Sequence, residues 1–233
     1  FLKKHDPSRA YINYNIYGTK TGRLATGPGS FPILTMKRNL RNIIKPKNDC
    51  FLELDFNAAE LRTLLSLQGK PQPKEDIHQW NMENVFKDNC TREHAKQRIF
   101  AWLYNPDSMD YLCEKAYDRG SILQKYSTKG HVRTIFSRTI PTEKRTALNY
   151  IIQSTCAENV LRQMIKVSDF LKNSKSFVAF PIHDSIVIDF STEDGGKIKE
   201  LIEIFSKTEL GEFLVNVSAG RNFGSLQKIK GLQ

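Results

Sequence analysis

Two short apolar runs, 176–182 and 185–190, are separated only by His183 and Asp184. Runs that close together leave room for a tight turn and nothing else, so this stretch is expected to be a hairpin with an acid at its tip. A second strand signal lies in 51–56, Phe-Leu-Glu-Leu-Asp-Phe, after which the apolar period lengthens. Ala58, Ala59, Leu61, Leu64, Leu65 and Leu67 fit an amphipathic helix that stops near Gly69, with Pro71 and Pro73 beyond. Asp55 is thereby placed at the carboxyl end of a strand.

From 70 to about 129 the chain is more charged and helical, including 91–104 with Thr91 as N-cap and Pro106 past the end. This reads as an inserted subdomain. A turn at Lys129-Gly130 leads into alternating residues to Ile140, closed by Pro141, and a long helix is expected from about Thr142 to Lys172. A helix from about Glu193 to Ser206 and a strand around 213–219 complete the pattern. The fold class is α+β, with helices on an antiparallel sheet. The segments implied are 1–68, 69–129 and 130–233.

At 233 residues with 39% hydrophobic content, the chain has enough apolar residues for one large domain or two small ones. No run approaches the roughly 20 apolar residues of a membrane helix, and 1–9 lacks a signal-peptide pattern, so no membrane partner is expected. Cys50, Cys90, Cys113 and Cys156 are scattered, without a CxxC pair, and are read as reduced thiols in a cytosol-like compartment. Thirty-five Lys and Arg against 25 Asp and Glu give a net charge of +10, which favours a polyanion such as nucleic acid.

Taken singly, Asp55 and Asp184 are what caps and turns ordinarily contain. Brought together by neighbouring strands, their carboxylates would suit a pair of Mg²⁺ ions. On the expected helix 91–104, Arg92, Lys96, Phe100 and Tyr104 fall four apart on one face: two cations, a ring and a phenol in a single stripe. Such a stripe suits a nucleotide. Arg145, Asn149 and Gln153 repeat at the same interval within the expected long helix, where their donors suit minor-groove acceptors.

These residues carry a family resemblance. Asp55-Phe56-Asn57-Ala58-Ala59-Glu60-Leu61-Arg62 resembles motif A of the bacterial polymerase I-like, family A DNA polymerases, Asp-Tyr-Ser-Gln-Ile-Glu-Leu-Arg. The 92–104 stripe is similar to the family's fingers helix, and Ile182-His183-Asp184 to its motif C. Thr21-Gly22-Arg23-Leu24, Asp76-Ile77-His78 and 145–158 resemble further family segments in the same order. The resemblance covers about Thr21 to Leu226 and implies a right-hand polymerase fold: a palm carrying a helical fingers insertion at 69–129, with the thumb and any exonuclease upstream or absent.

By this resemblance Asp55, Asp184 and the backbone carbonyl of Phe56 bind two Mg²⁺. Arg92, Lys96 and His78 meet the triphosphate, and Phe100 and Tyr104 form the sugar and base platform. Glu60 with Tyr104 excludes a ribose 2′-hydroxyl. Arg23, Arg41, Arg145, Asn149, Gln153 and His183 meet the primer–template. The implied activity is DNA-directed DNA polymerase, a nucleotidyltransferase of replication acting on a primed template and deoxynucleoside triphosphates, in the cytoplasm of a bacterium or phage-infected host. Four positions depart from the family: Ala58 for its Gln, Asn105 for the Gly after the fingers Tyr, Ser154 for a Gly, and Ser185 for the Glu after the motif C Asp. A start at Phe1 and a short stretch between Tyr104 and Arg145 suggest a fragment or a compact phage or plasmid type. The alternatives are a non-catalytic nucleic-acid-binding module on the same fold and a related single-subunit RNA polymerase, against which Glu60 argues.

Overall fold

The structure, a computed structural model, describes residues 11–87, 90–229 and 231–232. The stretch 1–9, read above for a signal peptide, lies outside them. The chain divides into two compact units. Unit one comprises Phe1–Phe56, Ala157–Thr208 and Val215–Gln233; unit two comprises Asn57–Cys156 and Glu209–Leu214.

Unit one is built on an antiparallel sheet of β1 (Cys50–Phe56), β2 (Phe177–Ile182), β3 (Ser185–Phe190), β4 (Val215–Gly220) and β5 (Gln227–Lys228), in the order β5-β4-β1-β3-β2. The expected hairpin is β2 and β3, with Ile182 paired to Ser185 across the turn. His183 takes a left-handed φ of 54° there, a conformation costly for a side chain of its kind and usual for the first central residue of a type II′ turn. Alternation along β1 sorts its side chains by face. Leu52, Leu54 and Phe56 are buried on one, where Phe56 stacks on Phe205 at 4.3 Å. On the other, Phe51 packs edge-on against Phe180 and Phe223, and Glu53 and Asp55 follow it toward the carboxyl end. One face of one strand thus passes from aromatic core to acid.

Helices α1 (Ala59–Leu67), α2 (Ile77–Trp80), α3 (Arg92–Tyr104), α4 (Tyr111–Tyr117) and α5 (Arg119–Tyr126) belong to unit two, with a small sheet of Ser127–Thr128, His131–Arg133 and Thr139–Pro141. Thr91 caps α3 by accepting from the His94 N–H at 3.2 Å, as expected. Ala95, Ile99, Trp102 and Leu103 are its buried face. Helix α6 (Ala147–Phe170) runs through the boundary at Cys156, and α7 (Ile198–Ser206) belongs to unit one.

Two helix starts differ from expectation. α6 begins at Ala147 rather than near Thr142, because the Thr142 and Thr146 hydroxyls bond each other at 2.7 Å in a turn and the helical ladder opens only with Tyr150 N–H to Thr146 O. Before α7, Thr192–Lys197 is a 3₁₀ turn rather than α-helix. Gly195 and Gly196 lower helix propensity there, and Asp194 turns aside to accept from Ser176 at 2.8 Å.

Candidate active site

Strand register assembles the acids of unit one. Asp55 lies opposite Ser185 on β3 and Asn216 on β4, and Asp184 immediately precedes Ser185 at the hairpin tip. The Phe56 N–H donates to the Asp184 carbonyl at 3.4 Å, tying the turn to β1. Burial, and then the charge of Asp184, push the Asp55 carboxyl up to about 7, against the hydrogen bond from Asn216. Asp184 is also raised by burial, although its own backbone N–H, His183 and Arg23 favour the ionised form. Two carboxylates that resist ionising together are short of positive charge.

The neighbours of this pair were not read from the sequence. Asn216 donates to Asp55 Oδ2 at 3.2 Å and accepts from Lys228 Nζ at 2.9 Å. Glu53, two residues before Asp55 on the same face, accepts from the Ser185 hydroxyl at 3.2 Å, and burial raises its carboxyl. No local signal marks these pairings, because Asn216 and Ser185 come from other strands. Arg41 lies over the Phe223 ring at 4.9 Å, Arg23 is exposed, and His183 is exposed at the tip. Among the described residues no group of three or more His, Cys, Asp or Glu is arranged to hold a metal ion. A cation at this end would therefore rest on Asp55, Asp184 and backbone or ligand oxygens, a donor set of hard oxygens that suits Mg²⁺.

In unit two, the expected stripe exists on α3, bordering its buried face: Arg92 and Phe100 are half-buried, Lys96 and Tyr104 exposed. Phe100 and Tyr104 stack with centroids 5.9 Å apart, and His78 lies 5.7 Å from Phe100. The Tyr104 hydroxyl donates to Glu60. His78 is only 5% exposed, and its Nδ1 has no hydrogen-bond partner among the described residues. Burial holds its pKa down at about 4, against the charge of Asp76 and helped by Arg92 and Lys96. It is thus a neutral donor or acceptor near pH 7 rather than a third cation.

Arg92 is not free in solution: Nε and Nη2 bond the two oxygens of Asp76 at 3.0 and 2.9 Å, and Nη1 bonds Glu93 at 2.7 Å. Burial works against ionisation of Asp76, but hydrogen bonds from Arg92, Asn57 and Gln79 hold it well below the usual carboxylate range. Asn57 in turn bonds Arg62, fully buried with its pKa lowered by burial to about 10, which also holds the carbonyls of Asn57, Pro73 and Glu75. Asp76 and Asn57 were missed as site residues. An Asp just before a helix start was the available signal.

The third group is not assembled as expected. Arg145 lies in the turn before α6, not on a helical face with Asn149 and Gln153, and pairs with Asp107 at 3.2 Å with both side chains exposed. Asn149 and Gln153 share a helix and are half-buried. Ser154 is fully buried.

No family model matches the chain. It is 24% identical to the DNA polymerase of Bacillus phage SP01 and 23% identical to DNA polymerase I of Caldicellulosiruptor bescii, over 94% and 87% of its length. It spans about a third of these relatives, 32% and 30%. The polymerase domain of Pol1 from M. smegmatis, solved in complex with DNA primer-template and dNTP, superposes on 92% of the chain and 48% of that domain with a TM-score of 0.71 at 17% identity. The chain is thus similar, over most of its length, to part of these DNA polymerases. The α+β architecture is the polymerase fold, and within it Asp55 is paired with Ser185, the residue that follows Asp184 in the turn. Among the described residues no helix is long and apolar enough to cross a membrane.

Proposed function

We propose that the chain catalyses DNA-directed DNA synthesis, adding deoxynucleotides to a primer 3′-hydroxyl by two-metal-ion phosphoryl transfer. In this reading 1–68 and 130–233 form the palm and 69–129 the fingers. The observation that carries it is the register that sets Asp55 beside the turn bearing Asp184, with Asp55 raised to about 7 partly by Asp184's charge. Binding modules have no use for two half-buried carboxylates in repulsion.

Asp55, Asp184 and the Phe56 carbonyl would hold Mg²⁺, which when bound would acidify the primer hydroxyl and stabilise the leaving pyrophosphate. Asn216 and the Lys228 behind it fix the Asp55 carboxylate in one orientation. Arg92 and Lys96 bind phosphate oxygens, and His78, neutral, offers a hydrogen bond rather than charge. The stacked Phe100 and Tyr104 present a ring platform to the sugar and base. Tyr104 donating to Glu60 makes a filled floor that disfavours a ribose 2′-hydroxyl. Arg23, Arg41, Arg145, Asn149, Gln153 and His183 are assigned to the primer–template, within a chain of net charge +10.

Extension of a labelled primer with Mg²⁺, using deoxy- or ribonucleotides, tests this against Asp184→Ala. Extension with deoxynucleotides that the substitution abolishes is the expected result. Duplex binding by both proteins without extension by either would favour the non-catalytic module, and equal use of ribonucleotides would favour the RNA polymerase.

A further inference from the structure

Asp76 holds more donors than a helix cap needs. Its Oδ1 accepts from the His78 and Gln79 N–H groups and from Arg92 Nε, each at 3.0 Å. Its Oδ2 accepts from Arg92 Nη2 and Asn57 Nδ2, each at 2.9 Å. The first two bonds cap α2, which carries His78; the Arg92 pair is a two-pronged match between a planar guanidinium and a carboxylate. Asn57 continues the chain inward: its Oδ1 accepts from Ile77 N–H at 3.1 Å and from the buried Arg62 at 3.2 Å. A connected path therefore runs from the buried Arg62 through Asn57 and Asp76 to Arg92, whose side chain is 40% exposed.

We infer that Asp76 is the positioning residue of the nucleotide's phosphate contacts, holding the Arg92 guanidinium and the helix of His78 in one fixed arrangement before a triphosphate arrives. The inference rests on the polymerase reading and deepens it. A long arginine side chain that must be ordered by its ligand loses rotamer freedom on binding, whereas one already clamped does not. Three of the N–H groups of Arg92 are engaged by Asp76 and Glu93, and the remainder of the fork is left for phosphate oxygens. Asp76 also adds negative charge near an anionic ligand. At a partly exposed pair that repulsion is screened, so the loss of order dominates when Asp76 is changed.

The role as a cap separates cleanly from the role as a clamp. Asparagine caps helices as well as aspartate does but offers Arg92 a single acceptor and no charge. The experiment measures dissociation constants for a fluorescent deoxynucleoside triphosphate with the parent chain, Asp76→Asn, Arg92→Ala and the double variant, alongside thermal melting of each. Expected is a loss of about three- to tenfold for Asp76→Asn in the parent and of less than about twofold when Arg92 is already alanine, with melting showing each variant folded at the assay temperature. Arg92→Lys, which keeps charge and loses the fork, should show the same loss and make Asp76→Asn silent. Equal losses in both backgrounds would reduce Asp76 to a structural cap, and tighter binding by Asp76→Asn would make it a competing counter-ion; either overturns the inference. A parent chain that binds no triphosphate would overturn the polymerase reading and this inference together, whereas a parent that binds with all variants alike overturns this inference alone.

Discussion

Asp55 and Asp76 are the same residue type placed in opposite surroundings. In unit one, Asp55 is half-buried near a second acid, with a hydrogen bond from Asn216, and its carboxyl rises to about 7. In unit two, Asp76 receives Arg92, Asn57 and two backbone N–H groups and is held well below the ordinary range. The first carboxylate lacks positive charge; the second is supplied with it. A cation and a polyanion would find their complements at these two places for that reason, one where charge compensation is missing and the other where an ordered cation is already built.

The largest break in this comparison is Asp184→Ala, for which the proposed two-metal mechanism expects primer extension to fall at least about a thousandfold, several kcal/mol of transition-state stabilisation. Next is Arg62→Met, which strips the carbonyls of Asn57, Pro73 and Glu75 of their donor and should cost about 3 kcal/mol in denaturant unfolding.

His78→Gln sharpens the contrast by pH. The folded pKa of about 4 lies below the ordinary 6.5, so the unfolded chain takes up a proton that the folded one refuses, and stability is lost as pH falls from about 6.5 to about 4. The substitution should flatten that limb by on the order of 2 kcal/mol, read from melting between pH 7 and pH 4. Smallest in stability is the effect of Asp55→Asn, which should stabilise the metal-free chain by about 1 kcal/mol at pH 8, because an ionised, repelled carboxylate is removed. Destabilisation there would mean that Asp55 is already compensated.

Much of this was legible locally. The hairpin with Asp184 at its tip, the strand-to-helix passage at Asp55 and the 92–104 stripe each follow from period and turn chemistry within a short window. What escaped was set by competing hydrogen bonds or by register. Threonine hydroxyls delay α6 and take Arg145 off its helix. Asn216 and Lys228 reach the Asp55 neighbourhood, and Ser185 reaches Glu53, only through the pairing of strands that are distant in sequence. In Asp76-Ile77-His78 the histidine is the residue the sequence marks, whereas the carboxylate of Asp76 organises the local network.

By itself the sequence determined which residue types were available and the periods that build β1, α1, α3 and the hairpin, because alternation and four-residue spacing act between near neighbours. Tertiary structure alone decided the ionisation of those residues. Asp55 rises because the packed sheet buries it and a distant turn adds the charge of Asp184, His78 falls because it is buried, and Asp76 falls because α3 delivers Arg92 to it. Burial and charge proximity are properties of packed surroundings, and a linear chain does not carry them.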